Sequence, residues 1–117
     1  IYGQYSIEEI FGRVLRQQPG LRNKMELVTK CGISLKVEAR PAHRIKHYNT
    51  SFEHIVRSVE RSLQNFGTDR IDLLLIHRPD PLMNPSEIAK TFSDLYEQGK
   101  VLHFGVSNFS STQFEML

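Results

Sequence analysis

Residues 71 to 77 read Ile-Asp-Leu-Leu-Leu-Ile-His, an apolar run broken only by Asp72 and stopped by Pro79 and Pro81. A strand with one wet face alternates apolar and polar residues, so a run this uniform predicts a parallel strand buried on both faces, with helices covering each. Parallel neighbours cannot be joined by tight turns, and helices must carry the chain back. The flanking sequence supplies them. Upstream, Phe52, Ile55, Val56, Val59, Leu63 and Phe66 recur at helical spacing behind Thr50 or Ser51 as the cap, Arg57, Glu60, Arg61 and Gln64 face water, and Gly67 is the stop. Downstream, Asn84, Pro85 and Glu87 spell a helix start ahead of Ile88, Phe92, Leu95 and Tyr96, which ends at Gly99.

The rest of the chain continues the alternation. Ile7, Ile10, Phe11, Val14 and Leu15 share a helix face, with Ser6 as N-cap and Glu8 and Glu9 in the first turn, and Pro19-Gly20 ends it. Residues 26 to 30 are β-leaning before Gly32, and residues 101 to 107 form the last strand. Ser110 and Gln113 open a fourth helix with a capping box. Residues 33 to 49 show neither period and read as a long loop. The order α-β-loop-α-β-α-β-α predicts the α/β class with right-handed crossovers.

Composition narrows the partners. The 117 residues carry a net charge of +2, so the basic loop with Lys36, Arg40, Arg44 and Lys46, which has no interleaved aromatics, reads as a solvated loop over a substrate mouth rather than a nucleic-acid surface. No apolar run approaches the roughly 20 residues that cross a bilayer, and no signal peptide is visible. The single cysteine, Cys31, closes no internal disulfide, which points to a reducing compartment such as the cytoplasm. The chain opens on Ile1 and reads as one domain, incomplete, from within a longer protein.

In parallel α/β folds the working residues lie just past the carboxyl ends of the strands. Lys30, His77 and the pair Ser107-Asn108 occupy those ends, a cation, an imidazole and an amide-hydroxyl pair that packing does not require. His43 and His47 lack a carboxylate or thiol to complete a metal set, and no metal is expected. Cys31 alternates away from Lys30 as a small buried thiol, Tyr48 reads as a loop residue, Tyr96 as a packing residue, and His54 and His103 as solvated or locally satisfied.

Tyr2-Gly3 followed by Glu8, Glu9 and Gly12, then Glu26-Leu27-Val28-Thr29-Lys30-Cys31-Gly32, Ile71 to His77, and Gly105-Val106-Ser107-Asn108-Phe109 together resemble the aldo-keto reductase family, in family order and over the whole chain. Within it, His77 to Met83 and Gly99 to Phe109 look most similar to bacterial oxidoreductases. The resemblance implies a (β/α)8 TIM barrel, of which three strands and their helices are present, since that fold takes about 250 residues. It also implies reduction of an aldehyde or ketone with NADPH through a Tyr, Lys, His and Asp tetrad. Tyr2 matches the proton donor, Lys30 the lysine and His77 the histidine; the aspartate falls ahead of Ile1. Ser107 and Asn108 match the pair that holds the nicotinamide carboxamide. Tyr5, three residues on, lacks the adjacent glycine of the donor. The chain alone is expected to be inactive and to associate with itself or with the remaining barrel half.

The chemistry agrees with those roles. A carbonyl that accepts hydride needs a proton near neutral pH, while an unperturbed phenol titrates near 10, so an ammonium such as Lys30 is the natural tuner of Tyr2. Neutral His77 can donate a hydrogen bond to the carbonyl oxygen. A non-catalytic nicotinamide-binding or regulatory protein on the same barrel is the alternative reading, and the retained tetrad residues weigh against it.

Overall fold

A computed structural model describes residues 1–38, 40–42 and 44–117. A 3₁₀ segment, Tyr2–Tyr5, leads into α1 (Ile7–Gln17), followed by β1 (Val28–Cys31), β2 (Ile33–Ser34), β3 (His47–Tyr48), α2 (Phe52–Phe66), β4 (Ile71–Ile76), α3 (Pro85–Glu97), β5 (Val101–Val106) and α4 (Ser111–Glu115). β1, β4 and β5 form a parallel sheet in that order, Lys30 opposite Leu75 and Leu75 opposite Gly105.

The predicted covering of the sheet holds on one face only. Leu74 and Ile76 pack with Ile55, Val59 and Leu63 of α2 and Ile88 and Leu95 of α3, a cluster that also takes in Cys31 and Val101. On the alternate face Ile71 is still buried, but Leu73 and Leu75 are only half-buried and lie outside that helix-packed cluster. An apolar run cannot tell a helix-covered face from the interior of a curved sheet, because both demand apolar side chains. Phe92 stacks on Phe104 at 4.1 Å and fastens α3 to β5.

Helix boundaries follow local chemistry. Ser51 accepts from the His54 N–H at 3.4 Å, Asn84 from those of Ser86 and Glu87, and Ser110 with Gln113 closes the predicted capping box. Gly67 ends α2 at φ 67°, a left-handed conformation open to glycine. Ser6 occupies the N-cap position of α1 without capping it, since its hydroxyl donates back to the Gly3 carbonyl at 2.6 Å.

Other expectations are corrected. Of the predicted α1 face, Leu15 is buried and Phe11 lies edge-on to Phe66 at 6.2 Å, with Gly12 buried beside them, whereas Ile7, Ile10 and Val14 are exposed. Tyr96 is 62% exposed and does not pack, and Phe52 is exposed at the start of α2. The segment from 33 to 49 is not a plain loop, for β2 and β3 pair antiparallel and bring Ser34 opposite His47, so that Tyr48 lies on a strand. Two-residue strands carry no detectable period. β1 starts two residues later than predicted because the Leu27 N–H bonds the Asp72 carboxylate at 2.8 Å. His43 lies outside the described residues, and with it the His43 and His47 pair.

Beneath the strands, at their amino ends, Arg22 gathers the chain. Its guanidinium meets Asp72 at 2.7 Å and donates to the Arg70 carbonyl, the Met25 carbonyl and the Thr68 hydroxyl. The opposite end is left for chemistry.

Candidate active site

Lys30 belongs to the last residues of β1, where parallel pairing with β4 fixes its backbone opposite Leu75. His77 follows β4 directly; its N–H donates to the Cys31 carbonyl at 2.9 Å and its side chain is 8% exposed. Tyr2 arrives from the 3₁₀ segment ahead of α1. Its ring centroid lies 5.8 Å from that of His77, and the Lys30 ammonium lies 5.6 Å from the same ring. Three elements thus bring phenol, ammonium and imidazole together at the carboxyl end of the sheet, the ammonium and imidazole from strand ends and the phenol from the segment ahead of α1.

Ser107 and Asn108 follow β5 beside them. The Asn108 amide nitrogen donates to the His77 carbonyl at 3.0 Å and to the Ser107 hydroxyl oxygen at 2.9 Å. A carbonyl oxygen only accepts, so this contact fixes which end of the amide is the NH2. Asn108 reaches it from a left-handed backbone, φ 62°, which asparagine tolerates better than most residues.

Burial lowers the His77 pKa below its ordinary value, and the positive charge of Lys30 adds to the effect. The imidazole is therefore held neutral at physiological pH, able to donate one hydrogen bond. Cys31, one residue past Lys30, is 5% exposed and its thiol is pushed up to about 12 by desolvation, so it is packing and not a nucleophile.

A cleft of about 470 Å³ is lined by Tyr2, Lys30 and His77 together with Tyr5, Glu8 and Arg40. The Tyr5 hydroxyl accepts the Leu35 N–H at 2.7 Å while the Arg40 guanidinium lies over its ring at 3.5 Å, so the basic loop does reach this end. That Tyr5, Arg40 and Glu8 line this cleft is not visible in sequence, where they look like a spare tyrosine, a loop charge and a helix-start acid. Among the described residues no three of His, Cys, Asp and Glu converge on a metal position, and no helix is long and apolar enough to cross a membrane.

The model of the Aldo/keto reductase family matches residues 1–117. The chain belongs to the aldo-keto reductase family. It is 59% identical to the uncharacterized oxidoreductase YcsN of Bacillus subtilis strain 168 and 53% identical to oxidoreductase YdhF of Escherichia coli K12, in each case over all of this chain and 39% of the relative. The chain thus spans about two fifths of the length of these curated relatives. Among solved structures, the glycerol dehydrogenase of Gluconobacter oxydans superposes with a TM-score of 0.79 at 34% identity, covering 93% of this chain and 32% of that one. That aldo-keto reductase fold is a TIM barrel, and the three parallel strands with their outer helices are a portion of it.

Proposed function

We propose that this chain carries the proton-transfer and carboxamide-binding parts of an NADPH-dependent oxidoreductase that reduces an aldehyde or ketone. The observation that carries the reading is the convergence of Tyr2, Lys30 and His77 next to Ser107 and Asn108.

When bound, the nicotinamide supplies the hydride. Around it each residue has a separate task. His77, held neutral, donates an N–H to the carbonyl oxygen and stabilises the charge that grows there. The Tyr2 hydroxyl gives that oxygen its proton, the substrate leaves as an alcohol, and the phenolate regains a proton from water. Lys30, an ammonium beside the ring, favours the negative charge the phenol acquires. The Asn108 nitrogen is committed to His77, so its oxygen is the atom that accepts from the carboxamide NH2. Ser107 Oγ already accepts from Asn108, and its own O–H is left to donate to the carboxamide oxygen. One amide is thereby held in one orientation, which fixes the face of the ring toward Tyr2.

The test is carbonyl reduction by the full-length protein. Tyr2→Phe should lower kcat by about 10²–10⁴-fold, the usual weight of a positioned acid. Undiminished turnover would remove Tyr2 from the mechanism, and cofactor binding with no turnover of any carbonyl would favour a regulatory protein. The 117 residues alone are expected to reduce nothing, since the resemblance assigns the tetrad aspartate and the adenosine-binding loops to other parts of the barrel. A reducing cytoplasm suits the free Cys31.

A further inference from the structure

The Tyr2–Tyr5 segment contains no buried residue, and Gly3, Gln4 and Tyr5 all hold positive φ, from 54° to 76°. Left-handed backbone at non-glycine residues costs about 1–3 kcal/mol each and persists only where surroundings hold it. This segment has no core of its own. Its place is set by its anchors, one being the Tyr5 hydroxyl on the Leu35 N–H and the rest lying in the helix that follows.

The second anchor is the start of α1. Ser6 welds the segment to that helix, its N–H and hydroxyl both donating to the Gly3 carbonyl, at 3.1 and 2.6 Å. α1 in turn comes very close to α2 at Gly12, where a Cβ would stand 1.9 Å from the Asn65 carbonyl oxygen. Residues four apart share a helix face, and one turn earlier Glu8 reaches across the narrow gap. Its Oε1 accepts the Thr29 hydroxyl at 2.6 Å and the Ser62 hydroxyl at 2.8 Å, and its Oε2 accepts the Asn65 amide at 3.1 Å.

Bonds to a carboxylate are about twice as strong as neutral ones, so three such bonds make a stiff junction. Thr29 immediately precedes Lys30 in β1. The acid therefore ties the helix that delivers Tyr2 to the strand that delivers Lys30.

We propose that Glu8 is a positioning residue for Tyr2: by latching α1 to Thr29, Ser62 and Asn65, it sets the separation at which the phenol meets Lys30 and His77. The function of this latch rests on the reading of Tyr2 as proton donor. Glu8 has no contact of its own with the carbonyl in this scheme.

The experiment is a double-mutant comparison in the full-length protein. Glu8→Gln, which removes the charge and one of the two acceptor oxygens, should lower kcat by about 10²-fold, the cost of an ångström-scale misplacement, while KM for NADPH is unchanged. Combined with Tyr2→Phe it should add less than about twofold, because the two residues act through one group. Thr29→Val, nearly isosteric, should show the same pattern more weakly. An equal fold-loss in both backgrounds, or a loss that tracks the folded fraction in thermal unfolding, assigns Glu8 to stability alone and overturns the proposal. Should Tyr2→Phe leave turnover intact, the donor reading fails separately. The placement is then read from ring-carbon-labelled tyrosine by NMR, where Glu8→Gln should shift the Tyr2 resonance; an unmoved resonance overturns the latch.

Discussion

Asn108 turns its side-chain amide back onto the main-chain carbonyl of His77, 3.0 Å away. The end of one strand is thereby tied to the end of the next, and a residue read as a cofactor ligand is also a structural bond. Asn108→Asp places an oxygen against that carbonyl and forfeits the donor. We expect a loss of about 1–3 kcal/mol in unfolding free energy together with a raised KM for NADPH. An aspartate variant as stable as the parent in thermal unfolding would show that the amide contributes nothing to the fold.

His77 gives a pH dependence whose sign is set by its lowered pKa. Between the folded value and the unfolded value of about 6.5, the unfolded chain binds more protons than the folded one. Stability should therefore fall as pH drops below about 6.5 and stop falling below the folded value. Above about 6.5 the imidazole is neutral in both states and contributes no slope. His77→Gln should flatten this acid-side slope. Unfolding by denaturant at a series of pH values measures it, and a wild-type curve that stays level just below about pH 6.5, after correction for the carboxylates, would contradict the assignment.

Cys31 should behave as an inert thiol. With its titration pushed up to about 12, the thiolate fraction at pH 8 is on the order of 10⁻⁴, and the side chain is buried besides. A thiol reagent should label it slowly in the native protein and at once in denaturant. Rapid native labelling would place the sulfur at the surface.

Arg22 and Asp72 are respectively 11% and 16% exposed, and the pair closes the amino ends of the strands. Arg22→Ala leaves the carboxylate with the Leu27 N–H and the distant Arg70 guanidinium at 3.9 Å. A loss of about 3 kcal/mol is expected, with a smaller cost for the double variant carrying Asp72→Asn. Equal costs for the single and double variants would mean the charge on Asp72 was never compensated by Arg22.

How much of this is legible in the sequence depends on the range of the interaction that decides each feature. The Ser110 and Gln113 box, the Asn84 cap and the Gly67 stop are decisions among four or five neighbouring residues, and they read directly. The strand at 71 to 76 is equally plain, yet its surroundings are not: apolar side chains on Leu73 and Leu75 look the same whether a helix or a barrel interior awaits them. Pairing of Ile33 with Tyr48 across an intervening segment leaves no periodic trace. The strand-end logic found Lys30, His77, Ser107 and Asn108, because the carboxyl ends of parallel strands share one side of the sheet. Tyr2 needed the resemblance, since it lies on no strand. Glu8 was hidden by its own plausibility, for an acid in a first turn already has a reason to be there.

The Glu87 carboxylate in the first turn of α3 accepts the Phe52 N–H at the first residue of α2, at 2.8 Å. One side chain therefore satisfies an orphan donor on a neighbouring helix, and the two helix starts share a single fastening. Fraying, which ordinarily begins at each terminus independently, becomes a joint event for the pair. The openings of these two helix starts are then expected to be coupled, and hydrogen exchange of the amide protons in their first turns is the measurement that reads it.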